Sequence, residues 1–398
     1  MEKEKLWTKE FVIVAMMSFL LSLIFFLLIV TIASYAVDEY NASTSTAGLV
    51  SSIFIIGSIF GRIGAGRMIG KVGPKKILFI GLICFLITSI FYFFMFNLST
   101  LIINRLINGI AIGIASTATG TIIAEILPDS RKGEGIGYYS LSGIFATAIG
   151  PFIGILLMNL ENGFLVIFIM NAVFSVVCIA VYFLLKLDQP IHVVDSSMEV
   201  RENHWIEKFV ELRAVPISFI ALMIGFSYSG IMSFISFYAI EVDLVATASY
   251  FFIVYAIVVV CTRPFTGRIL DMRGANIVVY PCLILFVLGM FLFSQATISW
   301  MLLLSAVLIG IGYGNFNSVA QAIAIKVTAP HRFGLAISTY FIFFDIGLGF
   351  GPYILGFFVP WIGYRGIFLC MAGLIALSIP CYYFLHGRRD RQLLSRAA

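Results

Sequence analysis

The chain has 398 residues, 61% of them hydrophobic and 11% charged, with a formal net charge of +5 and a mean hydropathy of +1.06. A soluble domain carries roughly 25% charged residues. The composition therefore excludes a soluble globular protein and points to one that lives in a bilayer.

A membrane-spanning helix takes about 20 consecutive apolar residues. Twelve such stretches follow in order, near 11–37, 46–69, 75–96, 100–124, 134–158, 164–185, 214–240, 247–270, 276–295, 298–325, 334–360 and 365–386. Their unbroken apolarity fits helices, whereas a β-barrel would show short alternating segments. The first stretch is too long for the apolar core of a signal peptide and lacks a small-x-small exit, so it reads as the first span. The expected fold is an all-α membrane protein with 12 transmembrane helices.

Basic residues set the orientation. With the N-terminus in the cytoplasm, Lys3, Lys5, Lys9, Arg67, Lys71, Lys75, Lys76, Arg131, Lys132, Arg388, Arg389, Arg391 and Arg396 all face inside. The opposite loops hold Arg365 and the acids Asp38, Glu39, Glu161, Glu241 and Asp243. This asymmetry predicts a multi-pass plasma-membrane protein with both termini cytoplasmic. It accounts for the net charge without a nucleic-acid partner.

All six cysteines (Cys84, Cys178, Cys261, Cys282, Cys370, Cys381) fall within the apolar stretches and show no metal-ligand spacing. They read as small buried hydrophobes. The histidines (His192, His204, His331, His386) fall in or beside cytoplasmic segments, which leaves no histidine relay inside the membrane. No metal and no cofactor is expected.

The sequence repeats itself. Shifted by 201 residues, RIGAGRMIGKVG (62–73) falls on RPFTGRILDMRG (263–274), Gly109 and Gly113 on Gly310 and Gly314, Arg131 and Gly133 on Arg332 and Gly334, and GPFI (150–153) on GPYI (351–354). One constant offset across these marks predicts two six-helix pseudo-repeats, 1–185 and 214–398. The polar segment 186–213 joins them as a cytoplasmic linker whose charged end is expected to form a short surface helix. Parallel repeats of this kind place a cavity between two halves that rock against each other.

At these marks the whole sequence resembles the major facilitator superfamily. The family signature G-x-L-A-D-R-x-G-R-R/K stands here as Gly66-Arg67-Met68-Ile69-Gly70-Lys71-Val72-Gly73-Pro74-Lys75-Lys76. Its glycines and basic residues match, but Gly70 occupies the aspartate position. The second copy, Gly267 to Gly274, keeps the acid as Asp271. The resemblance implies that this aspartate helps latch the cytoplasmic side, which shifts the burden to Asp271. A carboxylate facing a helix N-terminus gains up to about 1 kcal/mol. Residues 122–140 resemble the family's loop between helices four and five, with Glu125 and Arg131 at its acidic and basic positions. Both a gating relay and plain positive-inside anchoring fit them.

Arg105-Leu106-Ile107-Asn108-Gly109 resembles the R-x-x-x-G pattern of proton-driven drug antiporters. Gly143 with Gly150-Pro151-Phe152-Ile153-Gly154 resembles their helix-five signature, although Ile155 replaces its last glycine. The resemblance implies export over import. Gly-x-x-x-Gly spacing at 57/61, 109/113, 150/154, 310/314 and 347/351 lets helices approach closely. Pro151 and Pro352 are expected to kink helices five and eleven. Packing and gating roles overlap at these positions.

Two charges are expected deep in the membrane: Arg105 in LIINRLINGIAIG and Asp345 in YFIFFDIGLGFGP. A charge there costs from about 3 to over 10 kcal/mol, so each is a candidate functional residue. The guanidinium keeps its proton and suits an anionic substrate group or a nearby carboxylate; a snorkelling anchor is the structural alternative. A carboxyl at Asp345 can load and release a proton, or be satisfied by Ser, Thr or backbone groups at a helix interface. Tyr313, Asn317 and Gln321 recur every four residues on helix ten and share a face. With Asn104, Asn108, Asn171, Tyr228 and Tyr340 they are the candidate cavity lining, since lipid penalises such groups.

Many exporters of cationic drugs in this group carry an acid within helix one, and here none precedes Asp38. The expected function is therefore secondary active transport: proton-coupled export of a small amphipathic, anionic or zwitterionic metabolite or drug by a monomer working by alternating access. A proton symporter or facilitator importing a sugar or organic acid is the alternative. A non-transporting sensor would need a signalling domain that 186–213 is too short to supply. No Walker-type glycine loop, metal cluster or Ser-His-Asp set suggests an enzyme.

Overall fold

The computed structural model describes residues 5–158, 160–187 and 205–388. Lys3, His192, His204, Arg389, Arg391, Arg396 and linker residues 188–204 lie outside the described residues. Nine helices come first: α1 (Lys9–Tyr40), α2 (Thr44–Val72), α3 (Pro74–Phe91), α4 (Leu98–Ile126), α5 (Lys132–Met158), α6 (Gly163–Phe183), α7 (Val215–Glu241), α8 (Val245–Arg273) and α9 (Asn276–Ser294). Next is α10 (Ser299–Lys326), which carries a π-turn at Gly310–Gly314. The last helical run, Phe333–Tyr382, has 50 residues. As one rod it would measure about 75 Å, over twice the bilayer core of about 30 Å. Gly363 breaks it, with φ 66° and ψ 175°, into α11 (333–362) and α12 (364–382). The twelve expected spans are all helical, and no strand occurs among the described residues.

Local chemistry sets the ends. Thr8 and Ser43 accept N–H groups at the starts of α1 and α2, and Asn97 with Thr100 forms a capping box on α4. Gly73 (φ 88°) ends α2 directly before Pro74, the first residue of α3. Gly274 (φ 84°), which the 201-residue shift places on Gly73, makes the same turn after α8. Such φ values favour glycine. Because α2 runs to its turn, Lys71, beyond the expected end of the second span at 69, rides on helix together with Arg67. Of the linker's charged end, where a surface helix is expected, the described residues hold a 3-10 turn, Trp205–Lys208, followed by a buried Glu211.

The chain packs as two compact units. Unit one gathers Met1–Leu127, Tyr139–Glu211 and Ala329–Thr339; unit two gathers Pro128–Tyr138, Leu212–Thr328 and Tyr340–Ala398. The first turns of α5 therefore belong to unit two, and those of α11 to unit one.

Inside each unit the duplication extends to contacts. In unit one, a Cβ on Gly109 would overlap the Phe54 carbonyl of α2, and one on Gly113 the Ser58 carbonyl. In unit two, a Cβ on Gly310 would meet the Tyr255 carbonyl of α8 at 3.1 Å, and one on Gly314 would overlap the Val259 side chain. Phe54 and Tyr255, like Ser58 and Val259, are related by the same shift of 201. Missing side chains are what let these backbones touch.

Candidate functional site

In unit one, α4 turns Leu101, Asn104, Arg105 and Asn108 to one buried stripe at helical spacing. Arg105 is 0% exposed, which removes the snorkelling alternative. Its Nε donates to the Val50 carbonyl of α2 at 3.3 Å, and its Nη1 donates to the Tyr92 hydroxyl at 3.3 Å. The guanidinium lies 4.6 Å over the Phe54 ring. Among the described residues Nη2 has no hydrogen-bond partner and no carboxylate pairs with the cation. Asn104 and Asn108 both donate to Thr88 of α3, at its carbonyl (3.1 Å) and its hydroxyl (2.8 Å). Asn108 Oδ1 and both amide atoms of the buried Asn171 lack partners among the described residues. A buried cation without a counter-charge is suited to receive an anionic group, and the amides to bind polar atoms.

Unit two has a different lining. Tyr228 of α7 stacks on Tyr313 of α10 at 3.7 Å, with Tyr255 of α8 5.8 Å from Tyr228. Beside them Arg263, 2% exposed, donates from Nη2 to the Gly314 carbonyl at 2.6 Å. Gly314 closes the π-turn, a distortion often found at functional sites. The Tyr340 hydroxyl donates to the Asn317 carbonyl at 2.8 Å and also meets its side-chain oxygen. Gln321 is buried farther along α10. Asp345 is half-buried on α11, five residues beyond Tyr340.

Where α8 ends, Asp271 meets the start of α5. Its Oδ1 and Oδ2 accept the Gly133 and Glu134 N–H groups at 2.8 and 2.9 Å, and Lys326 donates to Oδ1 at 2.5 Å. The carboxylate thus satisfies orphan donors at the positive end of the helix. Glu134 binds Arg268 at 2.7 Å and Arg131 at 2.8 Å. Arg131, in the 3-10 turn before α5, thus pairs with a carboxylate three residues on, while Glu125 is half-buried with Oε2 unpartnered among the described residues.

In unit one, Gly66 lets the start of α11 close on α2: a Cβ there would lie 2.6 Å from Ser338 Cβ. Ser338 donates to the Arg62 carbonyl at 2.7 Å. Lys75 donates to the Leu185 carbonyl at 2.8 Å, and Lys76 is exposed. Gly150 packs on α1, its Cβ position 3.0 Å from Leu27 N, and Gly351 packs against Ser229 of α7. Pro151 and Pro352 sit inside helices that continue through them.

The sequence reading missed Arg62 and Arg263, both buried. They stand at the head of the repeated signature, and their recurrence at the common shift is the signal that finds them. Arg62 donates to Ser116 of α4 at 3.0 Å, just as Arg263 reaches α10. Cys261 and Cys370 are exposed on their helices rather than buried as expected. Among the described residues no cluster of His, Cys, Asp or Glu is placed to hold a metal ion.

Known proteins share this architecture. A sequence profile described as Major Facilitator Superfamily matches residues 14–300 and again 245–397. An uncharacterized MFS-type transporter of Methanocaldococcus jannaschii is 24% identical over 358 residues, covering 86% of this chain and 91% of that one. The uncharacterized MFS-type transporter YhhS of Salmonella typhi is 25% identical over 378 residues, covering 92% and 89%. Among solved structures, the human organic anion transporter MFSD10 (TETRAN) matches with a TM-score of 0.75 at 14% identity, covering 94% of this chain and 98% of that one. The proton:xylose symporter XylE matches with a TM-score of 0.74 at 14% identity, covering 94% and 95%. With the profile spanning nearly the whole chain and twelve helices in place, the chain belongs to the major facilitator superfamily and is a multi-pass membrane transporter.

Proposed function

We propose that this transporter exports a small amphipathic, anionic or zwitterionic metabolite or drug in exchange for protons. It works as a monomer in the plasma membrane with both termini cytoplasmic. Two six-helix halves, 1–185 and 214–398, rock about the linker 186–213. Arg105 receives the anionic group of the substrate and Asp345 carries the proton. Asn104, Asn108, Asn171, Tyr228, Tyr313, Asn317, Gln321 and Tyr340 contribute polar and aromatic lining. Gly66, Lys75, Lys76, Glu125, Arg131, Gly150, Pro151, Asp271, Gly351 and Pro352 belong to the moving parts.

The observation that supports this reading is Arg105, fully buried with Nη2 unpartnered and no carboxylate paired to it among the described residues. Burying an unpaired charge costs several kcal/mol, of order 3–5. An anion arriving with the substrate offsets that cost. Fold likeness does not choose a direction, because the organic anion transporter and the proton:xylose symporter match equally well.

Uptake into everted membrane vesicles decides it. Anionic amphiphiles are expected to accumulate when the vesicle interior is acidified, and a protonophore is expected to abolish the accumulation. Uptake of sugars or organic acids into right-side-out vesicles, driven by an inward proton gradient, would overturn the export reading.

A further inference from the structure

The two copies of the signature are tied down differently. In unit two, Arg131 and Arg268 share Glu134, while Asp271 holds the start of α5. The shift of 201 carries those arginines onto Arg332 and Arg67, but Glu134 and Asp271 fall on Leu335 and Gly70. The arrangement in unit one keeps the cations and has lost the acids. In unit one their partners come from the end of the linker. Arg332 donates from Nε to Glu211 and from Nη2 to the Glu207 carbonyl at 2.8 Å. Arg67 lies 4.8 Å over the Phe209 ring. Glu211 is 5% exposed, and its N–H donates to Thr339 Oγ1 at 2.9 Å. One short segment thus binds α2 and the first turns of α11 together.

We infer that residues 205–211 form a strap that replaces the missing acids, with Glu211 as a positioning residue of the transport cycle. The strap holds the start of α11 on α2 in this state and lets go as the cycle advances, an inference that rests on the alternating-access reading. A buried carboxylate answering a guanidinium is a strong, directional tie. Once it is removed, Arg332 keeps only a neutral carbonyl from the same segment. Gly70 offers a way to restore the lost design: a Cβ there meets nothing closer than the His331 carbonyl at 3.6 Å. An aspartate at that position would face the start of α11 as Asp271 faces α5.

The test uses the full chain in proteoliposomes, with its six cysteines replaced by serine and Ser338→Cys as the probe. Ser338 is 0% exposed against α2, so maleimide labelling there reports release of α11. Glu211→Gln is expected to raise the labelling rate at least about fivefold, the scale of a charge-assisted bond in a partly exposed pair. Adding Gly70→Asp is expected to bring the rate back to within about twofold of the parent. Phe209→Leu, a milder loss from the same strap, is expected to raise it less than Glu211→Gln. Asp271→Asn serves as the reference and is expected to raise the rate through the shared cycle. If Asp271→Asn speeds labelling and neither strap variant does, the strap is wrong and alternating access stands. If no variant speeds it, both readings fall. An increase in Glu211→Gln that Gly70→Asp fails to reverse also overturns the replacement, because Glu211 is then a local prop.

Discussion

Arg105→Met, alone and combined with Tyr92→Phe, separates what Arg105 does for stability from what it does for transport. The guanidinium makes two bonds of 3.3 Å and one cation–π contact at 4.6 Å. Bonds of that length lie beyond the usual N–H···O range and contribute at most about 1 kcal/mol each. The contact with Phe54 adds about 1–2 kcal/mol where water is excluded. Against these stands the desolvation of a cation that no carboxylate pairs with among the described residues, of order several kcal/mol. Removing Arg105 also strands the Tyr92 hydroxyl, 1% exposed with its residue, at about 1–3 kcal/mol. The single variant is therefore expected to unfold within about 2 kcal/mol of wild type, and the double variant at or above it. Transport by both is expected to fall at least about 100-fold, or ~2.7 kcal/mol of lost transition-state binding. Arg105→Lys is expected to restore little, since an ammonium does not reproduce a planar fork. Thermal unfolding followed by intrinsic fluorescence, beside vesicle uptake, measures both quantities. A double variant destabilised by more than about 4 kcal/mol, or one that transports normally, refutes the reasoning.

Four further variants are set by the same geometry. Asp345→Asn is expected to insert and fold yet lose pH-driven transport; wild-type rates across about pH 6–8 in that variant would rule out a proton role. Asp271→Ala removes the acceptor of two helix N–H groups and the partner of Lys326, and is expected to cost about 1–2 kcal/mol in thermal unfolding. Gly109→Ala is expected to destabilise by about 1–3 kcal/mol or more, because its methyl would overlap the Phe54 carbonyl. Gly310→Ala, with 3.1 Å to its neighbour, is expected to cost under about 1 kcal/mol, and equal effects of the two would contradict the packing described.

The helices are legible in the sequence because a bilayer imposes a minimum apolar length, and that length appears twelve times. Helix ends are less so. Lys71 reads as loop, yet it continues α2 until Gly73 turns the chain. The burial of Arg105 follows from its apolar setting, but its want of a counter-charge depends on which side chains the neighbouring helices present. Asp345 is expected deep in the membrane from its apolar setting, but the sequence does not say that α11 leaves it half-buried within the protein. Glu211 is the hardest to foresee. It lies at the end of a linker rich in polar and charged residues, a composition that reads as solvated, and its partners, Arg332 and Thr339, are both distant in the sequence.

The duplication acts as an internal control on all of this. One shift relates not only residues but contacts: glycine to carbonyl between α2 and α4, and again between α8 and α10. Packing alone would keep the two copies alike, and where it governs they are alike. They part where chemistry is at stake. The shift places Ala306 opposite Arg105 and Ile144 opposite Asp345, so each of these ionisable side chains exists in one copy only. Phe54, the ring under Arg105, becomes Tyr255 in the tyrosine cluster, and the regular α4 becomes the π-turned α10. A scaffold repeated for packing is thus broken at its polar groups. Nothing in helix packing accounts for a buried arginine that no carboxylate pairs with among the described residues.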